Sequence, residues 1–307
     1  MKKAVICFFI LMQFCLCHAN DEYIPLFTYW NKGDVKEYNY QKSRIDKRNG
    51  GERISNIKSR IKMEVLDMDD ESYTVSWKYY DYHTGEKNPI AALLIQKLAQ
   101  QEIIFKIDQN GSFIDILNID QLIEKTEKSF TIFEKTHPKD SEIFNSEVYK
   151  QLKQTYVNKE LFKQYAAQDI QRIHQFYAYE YSIDTPTKYE TIIPVPLLLN
   201  YKMHGTSELM VSEAEDSLTI ESKIYAEHDE IIKLVKLLAS KFGPAEDKTA
   251  SATDDFFAES LKDAKYSFLT TATFDIESGW LNSYTYSAIA NVGIQNRTDT
   301  TTITLIK

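Results

Sequence analysis

The chain has 307 residues, 43% of them apolar and 13% aromatic, with nine glycines and a formal net charge of −9. That length buries a sizeable core as one large or two medium domains, and the apolar content excludes a disordered or collagen-like chain. The acidic balance argues against nucleic acid and anionic membrane surfaces as partners, since both attract basic patches.

Residues 1–19 read MKKAVICFFILMQFCLCHA, with Lys2 and Lys3 ahead of an apolar run of 14 residues from Ala4 to Cys17. Cys17 and Ala19 supply the small side chains of a cleavage site, so the segment reads as a secretory signal peptide removed after Ala19. The run is short for a membrane span, which needs about 20 residues. A lipid anchor at Cys17 is disfavoured by the bulky Leu16 before it. The expected location is outside the cytoplasm, in the periplasm or cell envelope. No later run approaches 18 apolar residues, so no transmembrane segment is expected in the mature chain. All three cysteines (Cys7, Cys15 and Cys17) lie in this segment. The remainder therefore has no disulfide, thiolate nucleophile or zinc–thiolate site. Removal takes two of the 36 basic residues and none of the 45 acidic ones, moving the net charge from −9 to −11.

The expected organisation is a signal peptide at 1–19, a first β unit with an inserted helix at 20–117, a helical section at 118–178, and a second β unit with an inserted helix at 179–307. In the first unit Ile57, Ile61, Met63 and Val65 alternate with Lys58, Arg60, Lys62 and Glu64. After the acidic turn at Asp67 to Glu71, Tyr73, Val75, Trp77 and Tyr79 alternate in the same way, predicting an antiparallel hairpin with one wet face. An amphipathic helix, IAALLIQKLAQQ, follows Pro89, and Ile103 to Ile107 and Phe113 to Ile116 then flank a turn at Asp108–Gly111. The helical section carries apolar stripes over 118–134 and 141–176, split at His137–Pro138. Residues 185–201, with three prolines, predict an extended crossing.

The second unit repeats the order of parts. Strands at 205–214 and 217–226 flank an acidic turn, a helix starts near Asp229 and stops before Gly243–Pro244, and strands follow from Tyr266 to Ile276 and from Trp280 onward. FKIDQNGSF and FDIESGWL close the two units with the same strand–turn–strand pattern, which suggests an internal duplication. A last Thr-rich strand covers 299–306. The predicted fold class is α+β: antiparallel sheet, as one curved sheet or an incomplete barrel of two similar halves, with helices covering one face.

Catalytic signatures are absent. There is no nucleophile elbow, no Walker or dinucleotide-binding glycine pattern, and no paired histidine motif, so neither a cofactor nor a metal is expected. Glu227–His228–Asp229 reads as a helix start, and Asp108–Gly111 as a hairpin turn rather than a calcium loop. The acidic runs Asp69–Glu71, Glu213–Asp216 and Asp254–Asp255 fall in expected turns or loops. Aromatic rows are the remaining signal. Trp77, Tyr79, Phe105, Trp280 and Tyr284 are the candidate ligand-binding residues, because aromatic rows line apolar cavities as well as packing across strands.

The early Lys32–Gly33 with Tyr38 and Tyr40, the MEVLD…SYTVSWKY hairpin and the closing FDIESGWL hairpin resemble an uncharacterised family of exported proteins of Gram-negative bacteria. That resemblance is one of pattern and implies no activity or catalytic residue. The strand-rich, helix-covered layout is also similar to the open barrels of periplasmic lipoprotein carriers, an analogy of fold alone. The leading expectation is a non-enzymatic envelope protein that binds an apolar or amphipathic, lipid-like ligand or a partner protein between sheet and helices. A carboxylate-dependent hydrolase of envelope glycans is a second reading. A third is a structural assembly factor that offers the strand at 299–306 as an open edge.

Overall fold

The computed structural model describes residues 23–48, 50–85, 92, 96, 100–195, 201–242, 261–293 and 295–306. The helix expected after Pro89 and the Asp254–Asp255 run lie outside these residues, apart from two helical positions, Ala92 and Gln96.

The strands are β1 (Tyr23–Leu26), β2 (Val35–Arg48), β3 (Gly51–Met68), β4 (Ser72–Thr84), β5 (Glu102–Asp108) and β6 (Phe113–Ile116), then β7 (Tyr179–Ser182), β8 (Thr187–Pro194), β9 (Lys202–Ala214), β10 (Ser217–Ala226), β11 (Lys265–Asp275), β12 (Leu281–Val292) and β13 (Gln295–Leu305). The helices are α1 (Ile119–Thr136), α2 (Ser141–Asn145), α3 (Glu147–Val157), α4 (Lys159–Ala166), α5 (Gln168–His174) and α6 (His228–Phe242). Eleven strands form one open, curved antiparallel sheet in the order β6-β5-β4-β3-β2-β13-β12-β11-β10-β9-β8. β1 and β7 make a separate two-stranded ribbon. The fold is therefore α+β.

Period-two alternation explains why one face is dry. On β2 and β3, Tyr38, Tyr40, Ile61, Met63 and Val65 are buried, and Tyr73, Val75 and Trp77 continue the row on β4. Val211, Leu218, Ile220, Ala272, Phe274, Tyr284 and Ile303 carry it through the other half. This inner face packs on Ile119 and Leu122 of α1, Phe162 of α4, Ile170 and Ile173 of α5, and Tyr177 and Tyr181 beside and within β7. Each fully buried side chain of this size contributes about 1.5–3 kcal/mol, so the shared core, not helix propensity, holds the helical section in place. α6 covers the inner face at the opposite edge, where Leu234, Leu237 and Leu238 meet Ile193, Met203 and Ile224.

The stripe over 141–176 is divided among α2, α3, α4 and α5: Ser146 accepts a hydrogen bond from the Tyr149 amide at 3.3 Å, and Asn158 accepts one from the Leu161 amide at 3.1 Å. Each side chain caps a fresh helix, because its oxygen replaces a missing intrahelical acceptor. The expected open edge at 299–306 is corrected. β13 lies mid-sheet, pairing β12 on one side and β2 on the other, with Thr301 opposite Tyr286 and Lys42. Its backbone groups are consumed by two neighbours, so it offers no template for strand addition. The sheet edges are β6 and β8.

Candidate functional site

Four of the five aromatic residues singled out from the sequence sit in the packed core. Trp77 is 1% exposed, Trp280 4%, and Phe105 and Tyr284 are fully buried. Trp280 stacks on Trp30 with ring centroids 4.1 Å apart, and Phe105 meets the His174 ring edge-on at 5.4 Å. The void among Trp30, Tyr38, Trp77, His174, Tyr177 and Trp280 measures about 10 Å³, the scale of one water molecule. At these positions the aromatic partners are other side chains of the chain. Tyr79 differs. It is half-buried and packs edge-on against Tyr40 at 5.2 Å, at the border where the core ends.

Beyond that border the inner face changes character. Following inward positions along β2, the residues run Tyr38, Tyr40, Lys42, Arg44, Asp46 and Arg48, and along β13 they run Ile303, Thr301, Asp299 and Arg297. Arg53 of β3 faces Asp46 in register. Five cations and two carboxylates thus share one end of the inner face. Across β12 and β11 the same level carries Ala288, Ala290, Phe268 and Tyr266, all partly accessible. Phe268 stacks on Tyr286 at 6.0 Å. The result is a shelf with a cationic floor and an apolar, aromatic flank.

Arg172 of α5 joins the two. Its guanidinium lies 3.8 Å from the centroid of the Tyr286 ring, and Nη2 donates to the Tyr286 hydroxyl at 3.1 Å. Nη1 is 3.8 Å from Asp169 Oδ1, while Oδ2 accepts a hydrogen bond from the Tyr40 hydroxyl at 3.0 Å. Burial pushes the Tyr286 phenol up to about 12, with Arg172 pulling the other way. Burial, then the Asp169 charge, raise Tyr40 well above its ordinary value. Both phenols therefore stay neutral at physiological pH, Tyr40 donating to Asp169 and Tyr286 accepting from Arg172.

At the outer end, Asp299 Oδ1 accepts from Arg44 Nε at 2.5 Å, and Oδ2 accepts from Arg297 Nε at 2.7 Å. Burial raises the Asp299 carboxyl, but the two guanidinium hydrogen bonds outweigh it and hold the group below the usual range. A cleft of about 410 Å³ opens beside Tyr266, where β10 meets α6 and the chain enters β11; His228, Lys262, Lys265 and Tyr225 also line it.

The sequence reading did not single out Arg44, Arg297 or Asp299. The available signal was parity: in β2 and β13 the inward register turns from apolar to charged without leaving the strand. Of the acidic runs weighed for hydrolysis, Asp69–Glu71 and Glu213–Asp216 lie elsewhere, at the turns β3–β4 and β9–β10. Asp69 accepts hydrogen bonds from the Glu71 amide and the Ser72 hydroxyl of its own turn, and Asp67 pairs with Lys32 at 2.8 Å. Among the described residues, no three His, Asp or Glu side chains form a group that could hold a metal ion.

Neither a family model nor a curated protein matches the sequence. Among solved structures, the chain is similar to lipovitellin, determined in a study of lipid–protein interactions. The TM-score is 0.47 at 10% identity, over 90% of this chain and 25% of that one. It is also similar to DynF from the dynemicin biosynthesis pathway of Micromonospora chersina, with a TM-score of 0.19 at 6% identity, over 93% of this chain and 86% of that one. The chain thus spans a quarter of the length of lipovitellin, and likenesses at this level carry no functional argument.

Proposed function

We propose that the protein is an exported, non-catalytic binder of an amphipathic ligand, held on the open end of the inner face rather than in the packed core. One observation carries this reading: partly accessible Tyr266, Phe268, Ala288 and Ala290 stand at the same level as a row of guanidinium groups. An apolar chain laid against the aromatic flank loses contact with water, and its polar head meets charge and hydrogen-bond donors. The N-terminal segment supports encounter with such a ligand in the envelope.

Isothermal titration of the folded chain with dodecyl maltoside, below its micelle concentration, tests the reading. Saturable binding near one ligand per chain is expected. Ala288→Trp, which fills the apolar flank, is expected to abolish it while the melting temperature stays within a few degrees. Absence of saturable binding, or full binding by the Ala288→Trp variant, would overturn the proposal.

A further inference from the structure

We infer that Arg44 and Arg297 form a two-pronged oxyanion site that takes the phosphate group of an alkyl phosphate or phospholipid-like ligand. The inference rests on the amphiphile reading above and names the head group it selects. Three features of the shelf support it.

The first is how the arginines are held. Both bind Asp299 through Nε, at 2.5 and 2.7 Å. Engagement through Nε fixes the plane of each guanidinium and leaves the four terminal N–H bonds of Nη1 and Nη2 for another acceptor. Among the described residues neither arginine makes a further hydrogen bond or an ion pair with any other acid. Their side chains stay 48% and 46% exposed, so a ligand can reach them.

The second is charge. Asp299 neutralises one of the two guanidinium charges. Lys42, two residues before Arg44 on the same face, adds another, and it has no hydrogen bond or ion pair among the described residues. Over the whole shelf Lys42, Arg44, Arg48, Arg53 and Arg297 outnumber Asp46 and Asp299 by three, in a chain whose net charge is −9. A local excess of that sign on an acidic chain attracts an anion against the molecule's overall field.

The third is shape. A carboxylate has two oxygens, so it pairs bidentately with one guanidinium or, as Asp299 does, accepts a single bond from each of two. A phosphate monoester has three terminal oxygens in a tetrahedron and can accept from two forks at once. The two prongs belong to adjacent strands, with Arg44 directly opposite Asp299 and Arg297 two residues before it on β13. The acyl portion then runs over Ala288 toward Phe268.

Titrations of the full folded chain with dodecyl phosphate, dodecyl maltoside and inorganic phosphate separate the possibilities. Dodecyl phosphate is expected to bind at least about tenfold more tightly than the maltoside, as charge-assisted bidentate contacts would give. Arg44→Gln and Arg297→Gln should each bring dodecyl phosphate down to the maltoside level and leave maltoside binding unchanged. Arg44→Lys keeps the charge but loses the fork, and should behave like Arg44→Gln; it serves also if a Gln variant does not fold. Equal affinity for dodecyl phosphate and maltoside would overturn the oxyanion site and leave the amphiphile reading standing. Equal affinity for inorganic phosphate and dodecyl phosphate would uphold the oxyanion site and overturn the amphiphile reading. Binding of none of the three would overturn both.

Discussion

Two glycines fix the geometry on which the inner core depends. Gly111 and Gly279, in the turns β5–β6 and β11–β12, have φ of +99° and +70°. A Cβ at Gly279 would lie 2.0 Å from the Phe27 carbonyl oxygen, and one at Gly111 would lie 2.7 Å from the Tyr177 ring. The closeness has a purpose. Asp108 and Asp275 each fold their turn by accepting backbone N–H groups through Oδ1. The segment 27–29 and Tyr177 then bridge the two turns: Thr28 donates to the Gln109 carbonyl, the Tyr29 amide donates to that of Ser278, and the Tyr177 hydroxyl donates to Gly279 O at 2.7 Å. Gly279→Ala meets backbone on one side and strained φ on the other, so it is expected to cost about 3 kcal/mol or more. Gly33→Ala, at φ +90° with open space around its Cβ, carries the conformational cost alone, about 1 kcal/mol. Urea unfolding of the two variants checks the contrast, and equal losses would show that the close approach is relieved by movement of residues 27–28.

Elements with local causes were legible in the sequence, and those that depend on distant partners were not. The hairpins β3–β4, β9–β10 and β11–β12 follow from alternation around Asp, Glu and Gly turns, all within about 30 residues of sequence. The caps at Ser146 and Asn158 were also readable in principle, but the continuous apolar stripe masked them. The β2–β13 pairing joins residues such as Tyr40 and Ile303, and nothing local in either strand specifies that partner. For the same reason the sequence identified aromatic strand residues but not which stretch of the inner face the helices would cover. Trp77 and Phe105 fall under the cover, and Arg44 and Phe268 fall at its margin. The pairing has a measurable consequence. Backbone amides of β13 between Asp299 and Ile303 lie between two full-length neighbours, so they should exchange with solvent only through global unfolding. Amides of the edge strand β8, from Thr187 to Ile192, should exchange orders of magnitude faster by local opening. Hydrogen exchange with mass spectrometry resolves the two segments, and comparable rates would mean that the two halves separate along β2–β13 before the sheet unfolds.

At the scale of the molecule, the helical section is fastened to the sheet through a group that tolerates no charge. His174, at the end of α5, is 2% exposed, with Nδ1 2.8 Å from the Gly111 carbonyl and the rings of Trp30, Phe105 and Tyr177 around it. Burial lowers its pKa from the ordinary 6.5 to about 4, against smaller opposing effects of the Gly111 carbonyl and Asp108. The unfolded chain therefore binds a proton between pH 6.5 and 4 that the folded chain refuses, and stability falls as pH falls through that window. Above pH 6.5 the stabilisation is fully present; below 4 both states are protonated and this loss is complete. A shift of that size corresponds to about 3 kcal/mol over the window, of which about 2 kcal/mol falls between pH 7 and pH 4.5. His174→Gln keeps a donor for Gly111 without a titrating ring, so it should be less stable than the parent at pH 7 but lose about 2 kcal/mol less on acidification. Denaturant unfolding of both proteins at pH 7.0, 5.5 and 4.5 gives the slopes. Parallel slopes would place the acid sensitivity in carboxylates such as Asp299, whose pairing with Arg44 and Arg297 would then weaken together with the shelf it organises.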